Sequence, residues 1–343
     1  MTNSVSDLLR RLCDAAGTSG LEDSAAAVVI DELHRRAGNA KITRDTLGNV
    51  IAFLGDPDAP RQILLDAHLD QIGLVVTQIT DKGFLKVAPV GGVDQRVLPT
   101  APVTVFGREM LHGIVSFLPP HLTSDSGDKC PKIEDLAVDI GKTKEEAEAL
   151  VAVGDRIIID GPFRQLLGSR VTAAALDDRA GCAALLLCAE ELNDCILDCG
   201  VTFSFTSREE IGCEGAKTAA YQTDPTEAIV VDVTFGDQPG VSSEKTGKLG
   251  GGSMIGIAPS LSPEMKATLV QLCKDRELPY QLEVMGDSTG TNADNIAVTK
   301  GGVKTAILSI PLRYMHTPAE VIDTEDVTAV ARLMAEYVTG GDR

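Results

Sequence analysis

The sequence has no tryptophan, and aromatic residues make up only 3% of its 343 residues. A sugar-binding site usually needs aromatic rings on which the sugar stacks, and this chain has few residues that could form one. Basic residues are also in deficit, with 31 Lys and Arg against 50 Asp and Glu and a net charge of −19. Such a surface repels polyanions, which excludes nucleic acid as a partner, and it attracts cations. Solubility alone is the simpler explanation of the acidity.

Long apolar runs are also missing, and none approaches the length that spans a bilayer. The first residues, MTNSVSDLLRRLCDAAG, form an amphipathic helical pattern that contains Arg and Asp, unlike the uninterrupted apolar stretch of a signal peptide. The eight cysteines include no Cys-x-x-Cys pair, and several lie in apolar stretches such as GCAALLLCAEEL. They are typical of reduced, buried thiols. We therefore expect a cytoplasmic protein without a membrane partner, a disulfide framework or a cysteine metal site.

The local pattern changes twice along the chain. Helical periodicity at 4–16 and 22–37 and short apolar strands characterise residues 1–70. Residues 71–165 contain short β-rich segments separated by Gly, Pro and Asp, the spacing of a small barrel. Strands and helices alternate again over 166–343. The prediction is an α/β fold with a mostly parallel sheet flanked by helices, interrupted by an inserted β-barrel domain.

Histidine and acidic residues follow the predicted strands of the α/β part. His68, the Glu209-Glu210 pair, Asp232 and His316 each come at the end of an apolar strand or just after it. Ligand sites of open α/β sheets lie outside the carboxyl ends of the strands. These residues should therefore meet at one edge of the sheet.

Most of these segments have an ordinary alternative explanation when each is taken alone. His68-x-Asp70 could be a loop pair, Glu209-Glu210 a solvated charge pair, and His316 a loop histidine. Asp232 is more informative, because a carboxylate inside IVVDVTF is costly unless it is paired or binds a metal.

Two adjacent carboxylates, Asp177 and Asp178, precede an apolar helix. They could cap the helix, or one could bridge two metals, with Arg179 compensating their charge. Imidazole and carboxylate ligands suit Zn²⁺, Co²⁺ or Mn²⁺. The three other histidines, His34, His112 and His121, are expected not to be ligands.

The segments AHLDQIGLVV, LDDRAG, REEIGCEGA, VVDV and RYMHTPAE together resemble the M42 family of metallo-aminopeptidases, in which some members are labelled endoglucanases. The resemblance covers essentially the whole chain and implies two divalent metal ions per subunit, Zn²⁺ or Co²⁺ foremost and Mn²⁺ as a further candidate. It implies one ion held by His68, Asp177 and Asp232, and the other by Asp177, Glu210 and His316.

The resemblance also implies residues that assist without binding metal. Glu209 would be the general base that activates a metal-bridging water, Asp70 would orient His68, and Asp178 would aim the bridging carboxylate. The chain departs from the family pattern at Arg208, where relatives commonly have Gln, and at Asn292, where they often have Asp. Arg208 beside the base could lower the pKa of Glu209 or pair with a substrate carboxylate. A substituted Asn292 would change specificity if it touches the substrate.

Related enzymes assemble through the inserted domain into dimers and then dodecamers, and remove N-terminal residues from short peptides. The expectation for this chain is therefore an oligomeric dinuclear aminopeptidase. An amidohydrolase or deacetylase acting on a non-peptide amide is the alternative. A glycan hydrolase is disfavoured by the missing aromatics, and a catalytically weak metal-dependent assembly protein has only Arg208 in its favour. The side-chain preference of the substrate pocket and the native metal stay open.

Overall fold

The computed structural model describes residues 4–119 and 130–340. Its α-helices begin and end close to the predicted periodic segments. They are α1 (Val5–Cys13), α2 (Asp23–Arg36), α3 (Lys144–Leu150), α4 (Leu176–Leu192), α5 (Glu214–Thr223), α6 (Pro263–Asp275), α7 (Asn292–Ala297) and α8 (Thr324–Val338). Within the described ranges, no helix has the length and apolarity needed to cross a bilayer.

The strands of the described residues form three sheets. In chain order they are β1 (Lys41–Arg44), β2 (Val50–Gly55), β3 (Gln62–His68), β4 (Gly73–Ile79), β5 (Leu85–Val90), β6 (Pro102–Phe106), β7 (Met110–Val115), β8 (Val138–Asp139), β9 (Arg156–Ile159), β10 (Arg164–Gln165), β11 (Arg170–Ala173), β12 (Gly200–Thr206), β13 (Glu227–Phe235), β14 (Ser253–Ile257), β15 (Tyr280–Val284), β16 (Lys304–Leu312) and β17 (Glu320–Asp323).

The largest sheet has the order β1-β2-β12-β3-β13-β16-β14-β15. Its central strands β12, β3, β13 and β16 are parallel, whereas β2 joins β12 and β14 joins β16 in antiparallel fashion. Parallel neighbours need crossover connections, which the helices between these strands provide. The predicted parallel sheet is thus found at the centre of a mixed sheet.

Helices cover both faces of this sheet. Ile63 and Leu65 of β3 face one buried cluster with residues of α1, α2, α4, α6 and α8, whereas Leu64 faces a smaller cluster with residues of α5 and α7. Burial on both faces explains the continuous apolar strand sequences.

Strands β4-β5-β8-β7-β6-β9 close into a barrel around their own apolar core. These strands run from Gly73 to Ile159 and lie within the predicted insertion 71–165. The remaining strands form a small sheet of order β10-β11-β17 beside the large one. The predicted fold class, an α/β domain with an inserted barrel, is confirmed.

The structure corrects two boundaries of the predicted elements. Strand β13 does not end at Asp232 but continues to Phe235, because Val233, Thr234 and Phe235 pair with strand β16. The segment NADNIAVTK at 292–300 predicts a helix, which in the structure ends at Ala297. The edge strand β1 was not predicted, since its residues are mostly exposed and lack an apolar face.

Candidate metal centre

The parallel centre of the sheet brings the predicted ligands together. His68 is the last residue of β3, Glu209 and Glu210 follow β12, and Asp232 lies near the end of β13. These strands are neighbours, so their carboxyl ends meet at one edge, as predicted. His316 arrives four residues after β16, the neighbour of β13 on its other side.

Asp177 lies between the two histidines. One of its carboxylate oxygens is 3.0 Å from Nε2 of His68, and the other is 3.3 Å from Nε2 of His316. His68 Nε2 also lies 3.8 Å from Asp232, and His316 Nε2 lies 3.4 Å from Glu210. Each oxygen of Asp177 therefore faces its own set of one imidazole and one further carboxylate.

Asp178 has a different role from its neighbour. The peptide bond between the two aspartates is cis, and both have backbone angles outside the helical range. An oxygen of Asp178 accepts the backbone N–H of Gly181 at 2.9 Å, which caps the first turn of α4. Its other oxygen is buried without a hydrogen-bond partner. One carboxylate oxygen of Asp178 also lies within 4.8 Å of possible ligand atoms of both His68 and Asp232.

Burial dominates the electrostatics of the centre. It raises the pKa of Asp232 and Asp178 well above the ordinary carboxyl value and raises that of Glu210 to about 8, with the charge of Asp177 adding to the shift at Glu210. Burial also opposes ionisation of Asp177, but hydrogen bonds from His316 and His68 lower its pKa overall. The hydrogen bond to Asp177 raises the pKa of His316 to about 9.

The donor set fits divalent cations. Buried carboxylates without compensating charge are costly, and among the described residues none of these carboxylates has a Lys or Arg partner. Arg179 does not provide the expected compensation, because its guanidinium donates to the backbone carbonyl groups of Leu12 and Ala15 instead. Imidazole nitrogen and carboxylate oxygen are ligands that Zn²⁺, Co²⁺ and Mn²⁺ accept.

Asp70 is fully buried and contacts both His68 and the Glu209-Glu210 segment. Its backbone carbonyl oxygen lies 3.2 Å from Nδ1 of His68, closer than its carboxylate at 3.6 Å. The carboxylate instead accepts the backbone N–H groups of Glu209 at 2.8 Å and Glu210 at 3.3 Å, and the Ser19 hydroxyl at 2.5 Å. The backbone of Asp70 thus orients the imidazole, and its side chain holds the glutamate pair.

Glu209 lines the cavity beside the predicted ligands and has its own hydrogen-bond donor. The Cys213 thiol lies 3.4 Å from one of its carboxylate oxygens. Burial raises the pKa of Glu209 above the ordinary glutamate value. A raised carboxyl pKa suits a group that accepts and releases a proton near neutral pH.

Sequence reasoning missed two residues that position the ligands. The buried carboxylate of Glu320 accepts the backbone N–H of Asp177 at 3.2 Å and of His316 at 3.0 Å. The carbonyl oxygen of Gly92, in the barrel domain, lies 3.0 Å from Nδ1 of His316, and a Cβ at Gly92 would come within 2.7 Å of that nitrogen. The Glu in His-Thr-Pro-Ala-Glu, four residues after a predicted ligand, was the available signal for Glu320.

The two departures from the family pattern lie away from the cavity. Arg208 has a positive φ of 60°, and its guanidinium lies 3.5 Å from Glu214 rather than beside Glu209. Asn292 is buried and donates to Asp66 and Thr206, both at 2.8 Å. Neither side chain lines the cavity at the centre, so the sequence-based expectations of direct contact with base or substrate lack support.

Two of the other histidines are not part of the centre. His34 on α2 and His112 on β7 are both exposed. His121 lies outside the described residues.

A mixed α/β sheet with two imidazoles and several buried carboxylates at its carboxyl edge defines the class: an α/β protein with a candidate metal centre at the carboxyl ends of its parallel strands.

Comparison with known proteins identifies the family. The family model described as M42 glutamyl aminopeptidase matches residues 48–333. A lysyl aminopeptidase of Pyrococcus furiosus is 35% identical, with 95% of this chain and 94% of that protein covered. The chain belongs to the M42 aminopeptidase family and is a peptide hydrolase, as predicted.

Solved structures show the same fold. An aminopeptidase from Desulfurococcus kamchatkensis is 34% identical with a TM-score of 0.90, covering 98% of this chain and 94% of that one. The Pyrococcus horikoshii TET1 peptidase, described as assembling into a tetrahedron or a large octahedral shell, is 31% identical with a TM-score of 0.85, covering 98% and 99%.

Proposed function

We propose that the protein is a dinuclear metal-dependent aminopeptidase that removes N-terminal residues from short peptides. One observation carries the proposal: the two carboxylate oxygens of Asp177 face different histidines, at 3.0 and 3.3 Å. A carboxylate shared in this way suits a bridge between two ions. His68 and Asp232 would complete one ligand set, and Glu210 and His316 the other.

When bound, a pair of divalent ions polarises a carbonyl group and lowers the pKa of water towards neutrality. The chain's own residues would do the rest. Glu209 would accept a proton from the attacking water and deliver it to the leaving amine. The Cys213 thiol, 3.4 Å away, and the two backbone bonds to Asp70 would hold Glu209 and its loop in place.

Metal removal tests the proposal. Dialysis against a chelator should abolish hydrolysis of aminoacyl anilides, and Zn²⁺, Co²⁺ or Mn²⁺ should restore it. Metal analysis should find two ions per chain in the wild type and fewer in Asp177→Asn. Activity that resists complete metal removal would reject the proposal, and activity on acetylated amides but not on free N-termini would favour the amidohydrolase alternative.

The role of Glu209 has a separate test. Glu209→Gln should keep both ions and lower kcat by about 10²–10⁴-fold, the usual contribution of a general base. Glu214→Gln is the matched control, because Glu214 is exposed and belongs to the same segment but does not line the cavity. An unchanged kcat in Glu209→Gln would remove Glu209 from its proposed role.

We also propose that the chain forms a homo-oligomer built from dimers, a dodecamer in its complete form. Exposed apolar side chains on the barrel domain support this proposal, among them Met110, Phe117, Leu118 and Val153. Apolar surface of this kind commonly marks protein interfaces. Native mass spectrometry should give an assembly whose mass is a multiple of the 36.1 kDa chain. The double variant Met110→Asp with Leu118→Asp should form a smaller assembly. A monomer at micromolar concentration would contradict the proposal.

A further inference from the structure

The cavity at the candidate centre, about 660 Å³ in volume, extends well beyond the predicted ligands. It is also lined by the end of strand β13, by β15 and by the segment leading into α7. Apolar side chains of this part are Phe235, Met285 and Met315. Space for a substrate side chain is therefore available beside the site of hydrolysis.

Glu283 of strand β15 is an acidic residue in this outer part of the cavity. Its two carboxylate oxygens accept hydrogen bonds from neutral hydroxyl groups only, those of Thr234 and of Ser309, the latter at 2.9 Å. No Lys, Arg or His of the described chain forms an ion pair with it, and no Lys or Arg lines the cavity. Its negative charge therefore has no protein counter-charge.

Asp294 is the other acidic residue on this side, but its carboxylate is already engaged. It accepts the backbone N–H groups of Thr289 at 2.9 Å and Gly290 at 3.1 Å, and the Ser260 hydroxyl at 3.1 Å. These bonds fix the loop before α7. Glu283 is thus the carboxylate that is left to bind a ligand.

The hydroxyl groups that hold Glu283 locate its carboxylate beside the centre, where a substrate side chain would lie. Ser309 is the register partner of the predicted ligand Asp232, and Thr234 lies two residues beyond Asp232 on strand β13. Residues at this spacing point to the same face and lie about 7 Å apart along the strand. The α-amine is one bond from Cα and would stay near the centre, whereas a lysine ammonium lies at the end of a four-carbon stem.

Charge balance points in the same direction. Two bound divalent cations would carry four positive charges, which the carboxylates of Asp177, Glu209, Glu210 and Asp232 would balance, so that none is left for Glu283. A cationic substrate side chain would supply the missing partner, and its apolar stem could pack on Met285 and Met315.

We propose that Glu283 binds the side chain of the substrate's N-terminal residue and makes the enzyme prefer N-terminal lysine and arginine. The assignment rests on the proposed aminopeptidase function and adds its substrate class. Glu283 would contribute to ground-state and transition-state binding alike, so its loss should mainly raise KM for basic substrates.

The test compares lysyl, arginyl, leucyl and glutamyl anilides with metal-loaded wild type, Glu283→Gln and Glu283→Lys. The wild type should prefer the basic substrates. Glu283→Gln should lower kcat/KM on these by about 10–100-fold, the loss expected for a hydrogen-bonded charge partner, and leave leucyl anilide within about twofold. Glu283→Lys should shift the preference towards glutamyl anilide. Asp287→Asn is the control, since Asp287 is an exposed acid near Glu283 that does not line the cavity.

The leucyl substrate reports whether each variant is folded and active. If the wild type cleaves leucyl faster than lysyl anilide, or if Glu283→Gln loses activity on all substrates equally, the assignment of Glu283 is wrong while the aminopeptidase function stands. An equal loss would place Glu283 at the α-amine or in the framework. If the metal-loaded wild type cleaves none of the anilides, the proposed function fails first.

Discussion

Replacing Asp70 by Asn separates metal binding from positioning of the base. The Asp70 carboxylate accepts three hydrogen bonds, from the Ser19 hydroxyl and from the backbone N–H groups of Glu209 and Glu210. An Asn side chain has one acceptor oxygen, and its NH₂ group would face at least one of these donors. The contact of the Asp70 backbone carbonyl with His68 would be unchanged, because the substitution does not alter the main chain.

The size of the effect follows from these contacts. In its better orientation the Asn keeps the bonds from Ser19 and Glu210 and leaves the partly buried N–H of Glu209 facing the Asn amide without an acceptor, which costs about 1–3 kcal/mol. If that cost falls on the placement of Glu209 in the transition state, kcat/KM decreases by about 5–150-fold. The protein should keep two metal ions, since the closer contact of Asp70 with His68, that of its backbone oxygen at 3.2 Å, is unchanged.

The assay is anilide hydrolysis together with metal analysis after gel filtration. Ser19→Ala is the matched control, because it removes one donor to the same carboxylate and leaves both backbone bonds intact, so its loss should be the smaller one. Loss of metal from Asp70→Asn to the extent seen in His68→Ala would refute the reasoning and assign the orientation of His68 to the carboxylate. Full activity with full metal content would refute the positioning role.

Three further predictions concern the surroundings of the centre. Glu320→Gln leaves one backbone N–H of Asp177 or His316 unpaired and should weaken metal retention by roughly 5–150-fold in chelator competition; undiminished retention would contradict this. Because the pKa of His316 is raised to about 9 in the metal-free protein, metal must displace a proton, and apparent affinity should fall about tenfold per pH unit from 8 to 6 for that group; pH-independent affinity would contradict it. Arg208→Gln should change kcat/KM by less than about threefold, since its pairing with Glu214 is partly exposed, and a tenfold change would show that Arg208 acts on Glu209.

The sign of the His316 effect also predicts the stability of the metal-free protein. A folded-state pKa of about 9 against an ordinary value of 6.5 means that the folded state binds the proton more tightly. The stabilisation is fully present below pH 6.5 and is lost as pH rises through 9. Thermal melts of metal-free protein between pH 6 and pH 10 measure this loss, with His316→Gln as the comparison.

Much of the fold could be predicted because burial leaves a local pattern. Short apolar runs marked the central strands, and turn residues at short intervals marked the barrel. Edge strand β1 was missed because its side chains are exposed. The sequence predicts an end of strand β13 at Asp232, where an acidic residue interrupts the apolar run, whereas pairing with β16 continues through it.

The predicted ligands could be placed at one edge because parallel strands share a direction. The residues that position these ligands could not be predicted, because their contacts join distant parts of the chain: Gly92 to His316, Glu320 to Asp177, and Ser19 to Asp70. Such contacts leave no periodicity. Arg208 and Asn292 show the same limit, since a substitution beside a motif does not reveal where its side chain points.

The sequence by itself determined the chemical groups and their order, because ligand type is a property of the residue and strand ends are local events. Only the tertiary structure decided how those groups are shared. In that structure the two oxygens of Asp177 face two histidines, and the Asp70 carboxylate accepts the backbone N–H of Glu209. Glu283 lies in the cavity without a counter-charge. The physical reason is that a local pattern fixes the direction of a side chain within its own element, whereas its partner depends on which distant elements pack against it.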